Sequence, residues 1–170
     1  MNPRLKRGAL AALLFCLTLS PSRAAAPPSQ AVAVLDAPYE KVWDATVASL
    51  REGGYRVSRE RRSSGFIEGQ LGRTVTHKGE GDAFAELKRI SWFEESVPDM
   101  RSASEYRVIL NVEVHSVETE RTRVQVRGQI VGIDRPRGRR GMPRPISVPS
   151  RGVVEAELLQ HIRQRLGLAS

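Results

Sequence analysis

Two alternating stretches in the second half of the chain narrow its fold more than any other feature. Tyr106, Val108, Leu110, Val112 and Val114 alternate with Arg107, Asn111, Glu113 and His115. Further on, Val124, Val126 and Ile130 alternate with Arg123, Gln125, Arg127 and Gln129, and Gly128 falls on the apolar side. A period of two places every second side chain on one face of a β-strand. Two such runs, joined by the polar link Glu118–Thr122, predict a long antiparallel hairpin with one apolar and one wet face.

An apolar sheet face must be covered, and two segments have the helical spacing to cover it. Tyr39, Val42, Trp43, Val47 and Leu50 form one apolar stripe. Asp36 is a candidate cap, Pro38 suits an early helical position, and Gly53-Gly54 supplies the stop. Near the C-terminus, Val154, Leu158, Leu159, Ile162 and Leu166 form a second stripe. Ser147 or Ser150 is its candidate cap, and Gly167 ends it. Glu155 and Glu157 lie near the start of this helix and Arg163 and Arg165 near its end, as the helix dipole favours.

The remaining segments fit around this frame. Ala31–Leu35 is a short apolar strand. Tyr55–Glu60 and Gly65–Leu71 form a strand pair about the polar turn Arg61–Ser64, and Gly69 marks a bulge or a close approach. Residues 72–104 form an insertion, with a helix from Asp82 through Arg89 or a strand at Ile90–Phe93. Residues 134–149, rich in Pro, Gly and Arg, form a loop. The expected fold class is α+β: a single antiparallel sheet, in the order β-α-β-β-insertion-β-β-α, with two helices packed on one face.

The N-terminus carries a different message. Arg4, Lys6 and Arg7 precede an apolar stretch from Gly8 to Leu19, too short to span a bilayer, and Ser20-Pro21-Ser22 breaks it. This is the pattern of a secretory signal over residues 1–24, with cleavage near Ala24 and a linker over 25–30. The expected location is the periplasm or envelope. An uncleaved anchor and a buried N-terminal helix are the competing readings. Cys16, the sole cysteine, follows the bulky Leu14 and Phe15, where a lipidation signal needs small residues. The domain over 31–168 therefore has no disulfide and must rely on its core.

The formal charge of +8 is unevenly spread. Arg4, Lys6, Arg7 and Arg23 lie in the expected leader, which leaves the remainder at +4. Within that remainder, Arg135, Arg137, Arg139, Arg140 and Arg144 occupy one acid-free segment. A near-neutral domain with one basic loop argues against a nucleic-acid partner. Arginine's planar fork suits carboxylate or phosphate, so the loop is a candidate contact with an envelope protein or an anionic lipid surface. Trp92 and Phe93 are a second candidate contact, since aromatics anchor interfaces. Trp43, within a helical stripe, is expected in the core.

Catalytic and metal chemistry find little purchase. His77, His115 and His161 are far apart with no paired spacing, so neither a metal nor a cofactor is expected. Ser63-Ser64 lacks a nucleophile-elbow context. The acid pairs Glu94-Glu95 and Glu118 with Glu120 fit solvated charges, and no phosphate-binding glycine motif is present. No catalytic residue is nominated.

A family resemblance rests on Tyr39, Val42-Trp43, the helix to Leu50, Gly54-Tyr55-Arg56-Val57 and Gly65-Phe66-Ile67-Glu68-Gly69. This segment, Val34 to Gly69, resembles the repeating unit of BamC-type envelope lipoproteins and related small exported domains. The resemblance implies a helix-grip, TATA-binding-protein-like arrangement, and a non-enzymatic role in binding other envelope proteins. The alternative expectation is a carrier of a small apolar ligand, held between the C-terminal helix and the sheet.

Overall fold

A computed structural model describes residues 29–74, 82–92, 103–134 and 144–168. The described elements run β1 (Gln30–Leu35), α1 (Tyr39–Glu52), β2 (Arg56–Arg61), a 3-10 turn (Arg62–Ser64), β3 (Phe66–Thr74), α2 (Asp82–Ile90), β4 (Ala103–Glu118), β5 (Arg121–Asp134), β6 (Arg144–Val148) and α3 (Val153–Arg165). The fold is α+β, and every strand pairing is antiparallel. The strands lie in the order β1-β5-β4-β3-β2, with β6 also on β5.

The β4–β5 hairpin forms the middle of the sheet. Tyr106, Val108, Leu110, Val112, Val114, Val124, Val126 and Ile130 are each at most 1% exposed. Both strands are longer than the alternation alone suggests, and only Thr119 and Glu120 turn between them. Of the added residues, Ser116, Glu118 and Arg121 are exposed while Val131 and Ile133 are half-buried, so the ladder as much as burial extends the hairpin.

Helices α1 and α3 pack against each other and on the same face of the sheet, covering β4, β5 and β1. Val42, Trp43, Val47 and Leu50 of α1 and Val154, Leu158, Leu159 and Ile162 of α3 are buried there. The α3–sheet interface, the place expected for an apolar ligand, is thus lined by these α3 side chains and by Glu155. Helix α2 adds Leu87 and Ile90 to the same core, so part of the expected insertion belongs to the domain's interior. Of the two readings of this stretch, the helix holds through Ile90, and Ser91 forms only an isolated bridge to Ser150.

Several local expectations are corrected. The segment 134–149 is not a loop throughout, because Arg144–Val148 forms β6 against Ile130–Asp134. Pro145 is compatible with this because among the described residues β6 pairs with β5 alone, so its missing N–H interrupts no second ladder there. Asp36 does not cap α1. Pro38 occupies the N-cap position without a side-chain cap, and Asp36 instead faces Arg121 at 3.4 Å. Neither serine occupies the N-cap of α3, which is Gly152. Ser147 lies within β6. Ser150 acts one step earlier: its Oγ accepts from the Gly152 N–H (3.1 Å) and donates to Glu155 (2.9 Å). The stop after α1 is as expected, with Gly54 at φ +79° and the Tyr55 N–H returning to the Leu50 carbonyl.

β1 and β6 share the same side of β5 without meeting. β1 pairs with Thr122–Arg127 and β6 with Ile130–Asp134. Between these ladders the Gly128 N–H donates to Glu155 Oε1 at 3.1 Å. A side chain from α3 thus fills a break in the sheet edge, as an unpaired buried backbone donor requires.

Candidate functional site

The side of the sheet away from α1 and α3 is ordered into rows by the strand register. One row runs Arg59–Glu68–Asn111–Arg127, and the next Arg61–Phe66–Glu113–Gln125–Val32. Others run Arg56–Gln70–Ile109–Gln129, Gly72–Arg107–Val131–Ser147 and His115–Arg123–Val34. Residues opposite one another in register share a face, so arginines from three strands converge on one surface.

Among the described residues, Arg56, Arg59, Arg61, Arg107, Arg123 and Arg127 on this face outnumber Glu68, Glu105 and Glu113. Part of this charge is answered internally. Arg127 reaches Glu113 at 3.5 Å, and Arg59 reaches Glu68 at 3.9 Å. Hydrogen bonds from Ser58 Oγ (2.5 Å) and then Gln70 Nε2 (2.8 Å) hold the Glu68 carboxyl below the usual carboxylate range. Arg56, Arg61 and Arg107 are exposed and form no ion pair among the described residues. Their guanidinium groups remain available to an external anion.

The face is not uniformly polar. Phe66, Ile109, Val131 and Ile133 are half-buried between the charged rows, and Val32, Val34 and Val117 are exposed at its margin. Short apolar patches between arginines suit a partner that offers carboxylates or phosphates together with some apolar surface.

Of the residues selected from sequence, Arg135, Arg137, Arg139, Arg140 and Phe93 lie outside the described residues, as do the leader, Cys16, His77 and Glu94-Glu95. Arg144 opens β6 opposite Asp134. Trp92 is 38% exposed, and the Arg151 guanidinium lies over its ring at 4.2 Å from the centroid. Its N–H donates to the Pro149 carbonyl, while Arg151 Nε donates to the Ser91 carbonyl at 2.8 Å. Trp92 therefore sits in a strap that ties the end of α2 to the entry of α3. Trp43 is fully buried. Its Nε1–H points to Glu60, and Arg62, held by Asp44 and Glu40, lies 5.4 Å from its ring.

Away from the arginine face, one depression and one buried carboxyl group hold ionisable side chains. Glu52, His161, Gln164 and Arg165 line an open depression between the C-terminal ends of α1 and α3. Arg165 hydrogen-bonds Glu52 there and lowers its pKa. The second is Glu155, 0% exposed, whose oxygens accept from Gly128 N–H, Ser150 Oγ and Ser29 Oγ. Among the described residues no group of three or more His, Cys, Asp and Glu is placed to hold a metal ion.

Sequence reasoning singled out the basic loop and missed the arginine face, because the rows join residues some 50 positions apart. The signal for Glu155 was present. Positions 155, 158, 159 and 162 follow i, i+3, i+4, i+7, which places this glutamate on the apolar stripe itself. Compared with models of protein families and with curated proteins, the chain matches none.

Proposed function

We propose that this chain is a non-enzymatic binding domain of the cell envelope that docks against an anionic surface, an acidic protein or anionic lipid. The observation that carries this reading is the arginine excess on the helix-free side of the sheet, with Arg56, Arg61 and Arg107 unpaired among the described residues. The secretory pattern of residues 1–24 and the resemblance to BamC-type domains support the envelope as the setting. The arginines of 135–144 extend the same preference for anions.

The test compares two variants of the protein in co-sedimentation with anionic vesicles and in capture of acidic envelope proteins, at low and high salt. One carries Arg56→Ser, Arg61→Ser and Arg107→Ser. The other carries serine at Arg135, Arg137, Arg139, Arg140 and Arg144. Each basic residue near an anionic surface contributes about 1 kcal/mol, so the first variant binds roughly a hundredfold more weakly. Wild-type binding should also fall with salt. Unchanged binding by both variants would sink the proposal.

A further inference from the structure

The two ends of the sheet are built differently. β2, at one end, carries Arg56, Arg59 and Arg61, and its pairing with β3 shifts register between Val57 and Arg59. Charges and bulges are the usual protections of an edge against pairing with another strand. β1, at the other end, has neither. Its sequence Gln30-Ala31-Val32-Ala33-Val34-Leu35 contains no charge, no proline and no glycine. It pairs with β5 in unbroken register, and among the described residues no strand occupies its other side. Val32 and Val34 are 45% and 46% exposed. An uncharged, regular, β-branched edge is a template for strand addition.

We infer that β1 pairs antiparallel with β1 of a second copy of this chain, joining two sheets into one across a two-fold axis. The occupant follows from the strand's self-complementarity. In a two-fold antiparallel pair each residue meets the one equally far beyond the axis on the same strand, so an edge whose face carries only one sign of charge sets like against like. β2 would oppose arginine to arginine, whereas β1 opposes none. With the axis at Ala33, Val32 of one copy lies opposite Val34 of the other. Four valines then form one patch on the side away from the helices. On the helix side Ala33 meets Ala33 and Ala31 meets Leu35, and the small alanines let the covered faces approach. This register keeps inward residues opposite inward ones; a shift by one residue would not.

Sedimentation velocity on the protein, from about 1 to about 200 μM, is the first measurement, since a small edge interface is expected to be weak. A concentration-dependent dimer is expected. The double variant Val32→Lys, Val34→Lys places lysine opposite lysine twice and should weaken the dimer at least about tenfold. Its circular dichroism should be unchanged, because both side chains are largely exposed in one copy. In a Cys16→Ser background, mild oxidation of a mixture of Val32→Cys and Val34→Cys proteins should cross-link far more than either alone. Opposed residues in such a pair fall within disulfide reach. A wild-type monomer throughout, an unaltered dimer in the lysine variant, or equal cross-linking of Val32→Cys with itself overturns the inference.

Discussion

Two glycines on the helix-covered side of the sheet perform the same task for opposite chemistries. At Gly69 in β3, a Cβ would come within 2.9 Å of Leu50 Cδ2 and 3.3 Å of Tyr55 Cβ. At Gly128 in β5, a Cβ would come within 2.5 Å of Glu155 Oε1 and 2.7 Å of its Cδ. Both notches let a helix side chain reach the backbone of the sheet. The α1 notch receives a methyl group, which needs nothing but space. The α3 notch receives a carboxyl group, which needs donors, and finds them in the break between β1 and β6. An apolar contact can therefore sit anywhere on the sheet, whereas a buried acid is confined to where the ladder is interrupted.

The largest effect expected from breaking this comparison is at the polar notch. Gly128→Ala must displace the Glu155 oxygens from three donors at once, and should cost about 3 kcal/mol. For a domain of this size that lowers Tm by roughly 10 °C. The Leu50 methyl is the end of a side chain and can give way by a few tenths of an ångström. Gly69→Ala should therefore cost only about 1 kcal/mol. A double-mutant cycle isolates the cause. In a Glu155→Ala background, Gly128→Ala should cost less than about 1 kcal/mol, because the clash has gone. An equal cost in both backgrounds would place the penalty in the strand rather than in the carboxyl group.

This contrast also marks how far the sequence could be followed. The interior half of the molecule was legible because its rule is simple. Tyr106 to Val114 and Val124 to Ile130 repeat every two residues, and Val42 to Leu50 and Val154 to Ile162 repeat as helices do. β6 escaped because Arg144, Pro145 and the arginines before it give a loop composition, and only Ile146 and Val148 carry the strand pattern. As an acid in a first turn, Glu155 reads from sequence as a complement to the helix dipole. What buries it is Gly128, 27 residues earlier, facing a gap between two strands that are themselves more than 100 residues apart. The arginine face was invisible for the same reason. Its residues were legible one by one as strand exteriors, and only the register sets Arg59 in line with Arg127.

The next largest effect joins the two notches through Tyr55. Burial pushes its phenol up to about 12, helped by the charges of Glu157 and then Glu155. The unfolded chain releases this proton near the ordinary value of 10.0, while the folded chain holds it to about 12. The contribution is fully present below pH 10 and is lost as pH rises through the folded value. Allowing for partial exposure, the loss by pH 12 is about 2 kcal/mol. Tyr106 and Tyr39 shift in the same direction, so the alkaline slope is shared. Urea melts at pH 9 and pH 11.5 should show the loss in wild type, and Tyr55→Phe should remove the largest part of it. An unchanged slope in that variant would assign it to the other tyrosines.

The smallest effect separates the donors around Glu155. Ser150 is 4% exposed and serves both the fully buried Glu155 oxygen and the half-buried Gly152 N–H, so Ser150→Ala takes a partner from each. It should cost about 1.5 kcal/mol. Ser29 also donates to Glu155, but it is only half-buried at the entrance to β1, and a water molecule can take over its bond. Ser29→Ala should cost about 0.5 kcal/mol, close to the resolution of a thermal melt. Hydrogen exchange is the sharper probe, because the loss of Ser29 loosens β1 where that strand begins. The Ala31 and Val32 amides should exchange about twofold faster, while those of Val124 and Val126 in β5, paired also to β4, stay unchanged. If the β5 amides accelerate equally, Ser29 supports the whole polar notch, and the break in the sheet edge depends on the N-terminal segment as much as on α3.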